Sequence, residues 1–241
     1  MSETPKSTSK RDLIVDALME LAAERRWEDI SIHDVSVRAN ISLADFRDHF
    51  PSKGAVLAAF SRRIDRVVLD GTTNDLASEP AKDRLFDVLM RRLEAMAPYR
   101  EALRGIVEWS RRDPVSATAL NSMALNSMRF MLESADMTSE GTAGHIKLQG
   151  LVLAWTRILD VWFDDEDPAM ARTMAALDRE LARGEKLVAR VEDMSRMAAP
   201  LRTLARSFLT MARSRGPRAR RDHFDEETGP ESSEERRTHT L

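Results

Sequence analysis

Residues 31–53, SIHDVSVRANISLADFRDHFPSK, constrain the chain most, because residues that start and stop helices follow one another there at short intervals. Ser31 can cap a helix, and Asp34, three residues on, can reach back to it in a capping box. Ile32, Val35 and Val37 are then expected to face inward. The helix should stop at Ala39 and Asn40, since asparagine accepts a left-handed backbone with less strain than most residues. Ser42 can cap a second helix over 43–49, which Phe46 and Phe50, four apart, would anchor. Pro51 suits the first turn of a further helix, with Ser52 in the region of its cap. Two short helices across a tight turn, preceded by an amphipathic helix over 11–25, outline a helix-turn-helix. In that shape the second helix ordinarily enters the major groove of DNA.

The rest of the chain has the same helical period. Ile14, Ala17, Leu18, Leu21 and Ala22 line one side of the first helix, and Val56, Leu57, Phe60, Ile64, Val67 and Val68 one side of a long fourth helix. Further stretches end at Pro98, at Arg112-Asp113-Pro114 and near Leu132. A loop is expected over 134–144. Two long helices then follow, over 145–163 and from Pro168 to about 191, with an amphipathic segment over 194–213. No run of alternating β-branched residues appears, so the fold class is all-α. The organisation expected is a disordered arm over 1–9, a helix-turn-helix domain over 10–54, a helical body over 55–213, and a charged, disordered tail over 214–241.

Composition narrows the function. No apolar run is long enough to span a membrane. The first residues, MSETPKSTSKR, lack the apolar stretch of a secretory signal, and the chain has no cysteine, which together suit the cytoplasm. The five histidines show no paired metal-ligand spacing and the serines sit in no nucleophile motif, so no catalytic residue, metal or cofactor is expected. The net charge of −3 lends no bulk support to nucleic-acid binding, and residues 1–70 hold 11 Lys+Arg against 12 Asp+Glu. A positive face would have to come from arrangement.

On the second short helix the residues able to meet bases are Ser42, Leu43, Ala44, Asp45 and Arg47. Arg47 can fork onto a guanine edge, Leu43 can meet a thymine methyl, and Asp45 can accept from a cytosine amino group. Ser42, His49, Ser52 and Lys53 are better placed for phosphate. Asp48 needs a neighbouring arginine, Arg38 or Arg47, to lie near DNA. Whether Arg38, Arg47 and Lys53 gather with Lys6, Lys10 and Arg11 of the arm on the face bearing this helix discriminates DNA binding from a role without DNA.

The N-terminal 60 or so residues resemble the TetR family of bacterial one-component repressors. The resemblance lies in IVDALMELAAERRWEDISIHDVSVRANIS, in the His49-Phe50-Pro51-Ser52-Lys53 stretch, and in the long apolar helix that follows. It departs on the exposed face, at Asn40, Leu43, Ala44, Asp45 and Arg47. The resemblance implies a helix-turn-helix head joined to a helical bundle, and a homodimer binding double-stranded DNA, usually as a repressor. It implies a dimer interface in the helices near 145–163 and 168–191, for which Leu148, Leu151, Trp155, Leu159, Trp162, Met170, Met174, Leu177 and Leu181 are candidates, although an intrachain core would explain them equally.

It also implies a ligand pocket inside the body, where Phe86, Leu89, Met96, Trp109, Met123, Met128, Phe130, Met131 and Trp155 are candidates. Few charges fall on these stripes, so an effector there would be small and hydrophobic. A second resemblance covers residues 155–181, WTRILDVWFDDEDPAMARTMAALDREL, which are similar to the TetR-like lipid-binding proteins of ubiquinone biosynthesis. It implies a rival role as a non-enzymatic lipid- or protein-binding module.

Overall fold

The computed structural model describes residues 9–72, 76 and 78–187, and all regular structure among them is helical. The chain divides into one compact unit, Met1–Glu192, and a second, Asp193–Leu241. Every described residue belongs to the first. The expected amphipathic segment over 194–213, the charged tail and all but the last residue of the arm lie outside the described residues.

Helix α1 (Lys10–Glu24) opens on Ser9, whose hydroxyl accepts the Asp12 N–H, and buries Ile14, Leu18 and Leu21. A single 3₁₀ turn, Trp27–Asp29, leads to α2 (Ile32–Arg38). Ser31 and Asp34 form the expected capping box. The Asp34 N–H reaches the Ser31 hydroxyl at 3.1 Å, and the Ser31 N–H reaches the Asp34 carboxylate at 2.8 Å. At the other end Asn40 takes the left-handed conformation, φ 52°. Its N–H bonds to the Val37 carbonyl, and the Ile41 N–H reaches back to Ser36, which closes a Schellman motif.

Two side chains of α2 face the other way from expectation. Val35 is buried, but Val37 is 65% exposed and Ile32 38% exposed. A seven-residue helix shows one narrow face to its neighbours, and here that face holds Val35, Ser36 and Ala39. The buried Ser36 hydroxyl is satisfied by the Ile32 carbonyl.

Helix α3 (Leu43–His49) follows, held by buried Phe46 and Phe50, whose ring centroids lie 6.2 Å apart. Helix α4 (Lys53–Asp70) is capped by the Ser52 hydroxyl, so Pro51 precedes the cap instead of occupying the first turn. Helix α4 starts in the head, packing on α1, and runs on into the body, where it packs on α5 (Ala81–Met96) and α7 (Pro114–Ser134). A 3₁₀ turn, Ala97–Tyr99, joins α5 to α6 (Arg100–Ser110), which lies along α1 and touches the Trp27 turn. The Trp27 and Trp109 rings meet there, 5.7 Å between centroids.

Helix α8 (Gly141–Phe163) packs against α7 and begins a turn earlier than the expected 145. The glycines that suggest a loop belong to its first turns. Gly141 has φ +71°, and the Ser139 backbone folds so closely over Gly144 that a Cβ there would lie 2.3 Å from it. Residues 171–187 are also helical. Pro168 does not begin that helix. It sits in a turn in which the Met170 N–H bonds to the Asp167 carbonyl, and Met170 is left-handed at φ 52°. The helix is held from outside by the buried Asp165 carboxylate, which accepts the N–H and hydroxyl of Thr173.

Candidate nucleic-acid interface

Helix α3 is fixed from behind by its aromatics and presents its other side to solvent. Leu43 is 52% exposed, and Ser42, Ala44, Arg47, Asp48 and His49 are exposed as well. Asp45 is only half-exposed because it is occupied. Its N–H donates to the Ser42 hydroxyl at 3.0 Å, its carboxylate accepts from the Ser42 backbone and hydroxyl, and Lys10 Nζ lies 2.6 Å from its Oδ1. The Lys10 ammonium, and then the Ser42 hydroxyl, hold the Asp45 carboxyl below its ordinary value. This second capping box has the same S-x-x-D spacing as the first, so its signal lay in the sequence. The Lys10 contact, across 35 residues, did not.

The cations fall into two sets. Lys10 and Arg11 are at α3: Lys10 sits on Asp45 near the start of the helix, and the Arg11 guanidinium lies 4.5 Å from the Phe50 ring at its end. Arg47 projects from the exposed side and, among the described residues, makes no ion pair. Arg38 and Lys53 instead turn away. Arg38 grips Glu24 at 3.0 and 2.7 Å and reaches Glu20 at 3.4 Å, and it lowers the Glu24 carboxyl from its ordinary value. Lys53 donates to the carbonyls of Trp27 and Ile30 and stacks 4.5 Å over the Trp27 ring; burial pushes its ammonium below the ordinary value. Neither Arg38 nor Arg47, the arginines considered for Asp48, pairs with it, and Asp48 makes no ion pair among the described residues. Lys6 lies outside them.

Among the described residues, two neighbouring cavities share Leu57, Ser61, Leu120 and Met123. One, of about 540 Å³, lies where the head meets the body, between Trp27 and Lys53 on one side and Trp109 and Phe130 on the other. The other, of about 440 Å³, lies inside the bundle. Of the residues expected at a pocket, Met96, Met123, Met128 and Trp155 line it, while Trp109, Met123 and Phe130 line the junction cavity. Leu89 and Met131 are fully buried core residues and Phe86 packs beside them; none of the three borders either cavity.

The residues expected at a dimer interface are held inside the chain. Leu148, Leu151, Trp155, Trp162, Leu177 and Leu181 are buried, and Leu159, Met170 and Met174 pack on the same core. A stripe of helical period marks burial without saying which chain supplies the partner. The large apolar residues that α8 leaves exposed are Ile146, 47%, and Leu153, 59%.

No family model and no curated protein sequence matches the chain. Solved structures do match. A TetR transcriptional regulator from Nitrosomonas europaea superposes with a TM-score of 0.59 at 23% identity, over 73% of this chain and 97% of that one. One from Rhodococcus sp. RHA1 gives 0.55 at 19% identity, over 73% and 94%. A TetR-family regulator from Streptomyces coelicolor gives 0.51 at 17%, over 84% and 97%. The chain therefore has the TetR-like fold, a helix-turn-helix head on a helical bundle.

Proposed function

We propose that this protein is a DNA-binding transcriptional regulator that acts as a homodimer and responds to a small molecule held in its body. The observation that carries the reading is the state of Asp45. In sequence it places a carboxylate on the reading helix, but Ser42 and Lys10 occupy it, and the exposed cation beside it is Arg47. Helix α3 then offers Leu43, Ala44 and Arg47 to base edges, with Lys10 and Arg11 beside the phosphates. Arg38 and Lys53 brace the head in this account.

A second copy of the chain fits the outer face of α8. Ile146 and Leu153 are two helical turns apart on that face, and Gly150, between them, has nothing within 4 Å of a Cβ position, so a partner helix can approach closely there. Two heads would read a near-palindrome with half-sites about one helical turn apart. The 440 Å³ cavity, in the size range of small-molecule sites, is the effector site in this account. Recovery of genomic fragments bound by the full chain tests the reading. A shared, near-palindromic sequence is expected; recovery without sequence preference at low salt would refute it.

A further inference from the structure

Between the two cavities stands a buried ion pair. Asp65 of α4 accepts from Arg92 Nη1 of α5 and from the Ser127 hydroxyl of α7, both on the same oxygen, Oδ1. All three residues are buried. Asp65 and Ser127 line the junction cavity, whereas Arg92 lines the cavity inside the bundle. Ile64, Met96, Ile106, Met128 and Trp155, whose ring lies 5.8 Å from the guanidinium carbon, line the same cavity; its polar lining is Ser61, Ser110, Asn121, Thr156 and Arg111, which is paired with Asp160.

A guanidinium carries five N–H donors and no acceptor. Among the described residues Arg92 makes one side-chain hydrogen bond, to Asp65, and its Nε is buried without a partner. Buried donors are ordinarily satisfied by protein or by ordered water, and Arg92, which lines the cavity, has guanidinium donors left over for a guest within it. Charge selects what that is. Asp65 already neutralises Arg92, so a second carboxylate would bring uncompensated charge into an apolar wall. A neutral acceptor adds a hydrogen bond without that cost.

We infer that the cavity inside the bundle takes an uncharged, mainly apolar molecule with a carbonyl-type acceptor, which Arg92 engages while Asp65 keeps its own bond. The inference rests on the proposed reading of this cavity as a small-molecule site, and it holds or fails independently of DNA binding.

Calorimetry on the full chain without DNA tests it, using three probes of one skeleton: benzophenone, diphenylmethane and 4-benzoylbenzoate. Diphenylmethane is the most apolar and would bind best if burial alone decided. The expected result is that benzophenone binds about tenfold more tightly than either of the others, the worth of one buried hydrogen bond. Asp65→Asn should raise the affinity of 4-benzoylbenzoate by about tenfold, because Arg92 then lacks its counter-charge.

Replacing the pair together, Asp65→Leu with Arg92→Met, keeps the wall apolar and should abolish the preference for the ketone. No binding of benzophenone, equal or tighter binding of diphenylmethane, or a ketone preference that survives the double replacement would overturn the inference. Binding of benzophenone without any effect on DNA affinity would leave this chemistry standing and refute the effector role.

Discussion

Lys53 closes the HFPSK stretch, and its position in the sequence suggests a phosphate contact. In the fold its ammonium is spent on two backbone carbonyls and on the Trp27 ring. Those carbonyls belong to the turn that joins α1 to α2, so Lys53 ties the start of α4 to the first half of the head. Lys53→Met should lower unfolding free energy by about 1–3 kcal/mol, the usual cost of leaving buried acceptors unpaired. Urea denaturation would measure that. The dependence of DNA affinity on salt should stay as it is, and a shallower salt slope in the variant would instead assign Lys53 to phosphate. Asp45 shows the converse limit of reading residues singly. Its own helix and Lys10 claim it, and only the S-x-x-D part of that arrangement is local enough to read from sequence.

At the scale of helices, caps were the most legible signal, because a cap is a contact between residues three apart. Ser31 with Asp34, Ser42 at the start of α3 and Asn40 at the end of α2 all lie where the chain's local chemistry directs. The Asp34 box also predicts a pH dependence. The Ser31 hydroxyl and N–H, with Arg25, hold the Asp34 carboxyl at about 2, down from 3.8. The folded chain therefore favours the ionised form, and the box's contribution is complete above 3.8 and disappears as pH falls to about 2. Thermal melts across this window should show Asp34→Asn losing stability less steeply than the parent; parallel slopes would mean that the box contributes nothing. Boundaries set by tertiary packing were less legible. Gly144 lies in the first turns of α8 with the Ser139 backbone folded where a Cβ would be, and the helix after Pro168 starts late because Asp165 and a left-handed Met170 hold its entry.

At the scale of the molecule, one continuous helix, α4, carries both Lys53 in the head and Asp65 in the body, so the head and the cavity walls share a rigid element. The apolar stripes announced that the body has a core, and Met96, Met128 and Trp155 do border a cavity within it. They could not announce which face stays outside, since Leu148 and Leu153 look alike in sequence and differ only in what covers them. If the outer face of α8 is the dimer surface, Leu153→Arg places a charge at its centre. Sedimentation velocity should then give a mass of two chains for the parent and one for the variant. A variant that stays dimeric would move the interface elsewhere.

The central claim, that α3 reads DNA through Arg47, is tested most directly by titrating the recovered fragment and a scrambled fragment with the parent and with Arg47→Ala, at several salt concentrations. A bidentate arginine contact predicts a loss of about 1–3 kcal/mol on the recovered fragment, much less on the scrambled one, and an unchanged salt slope. Equal loss on both fragments, or no loss on either, would contradict it.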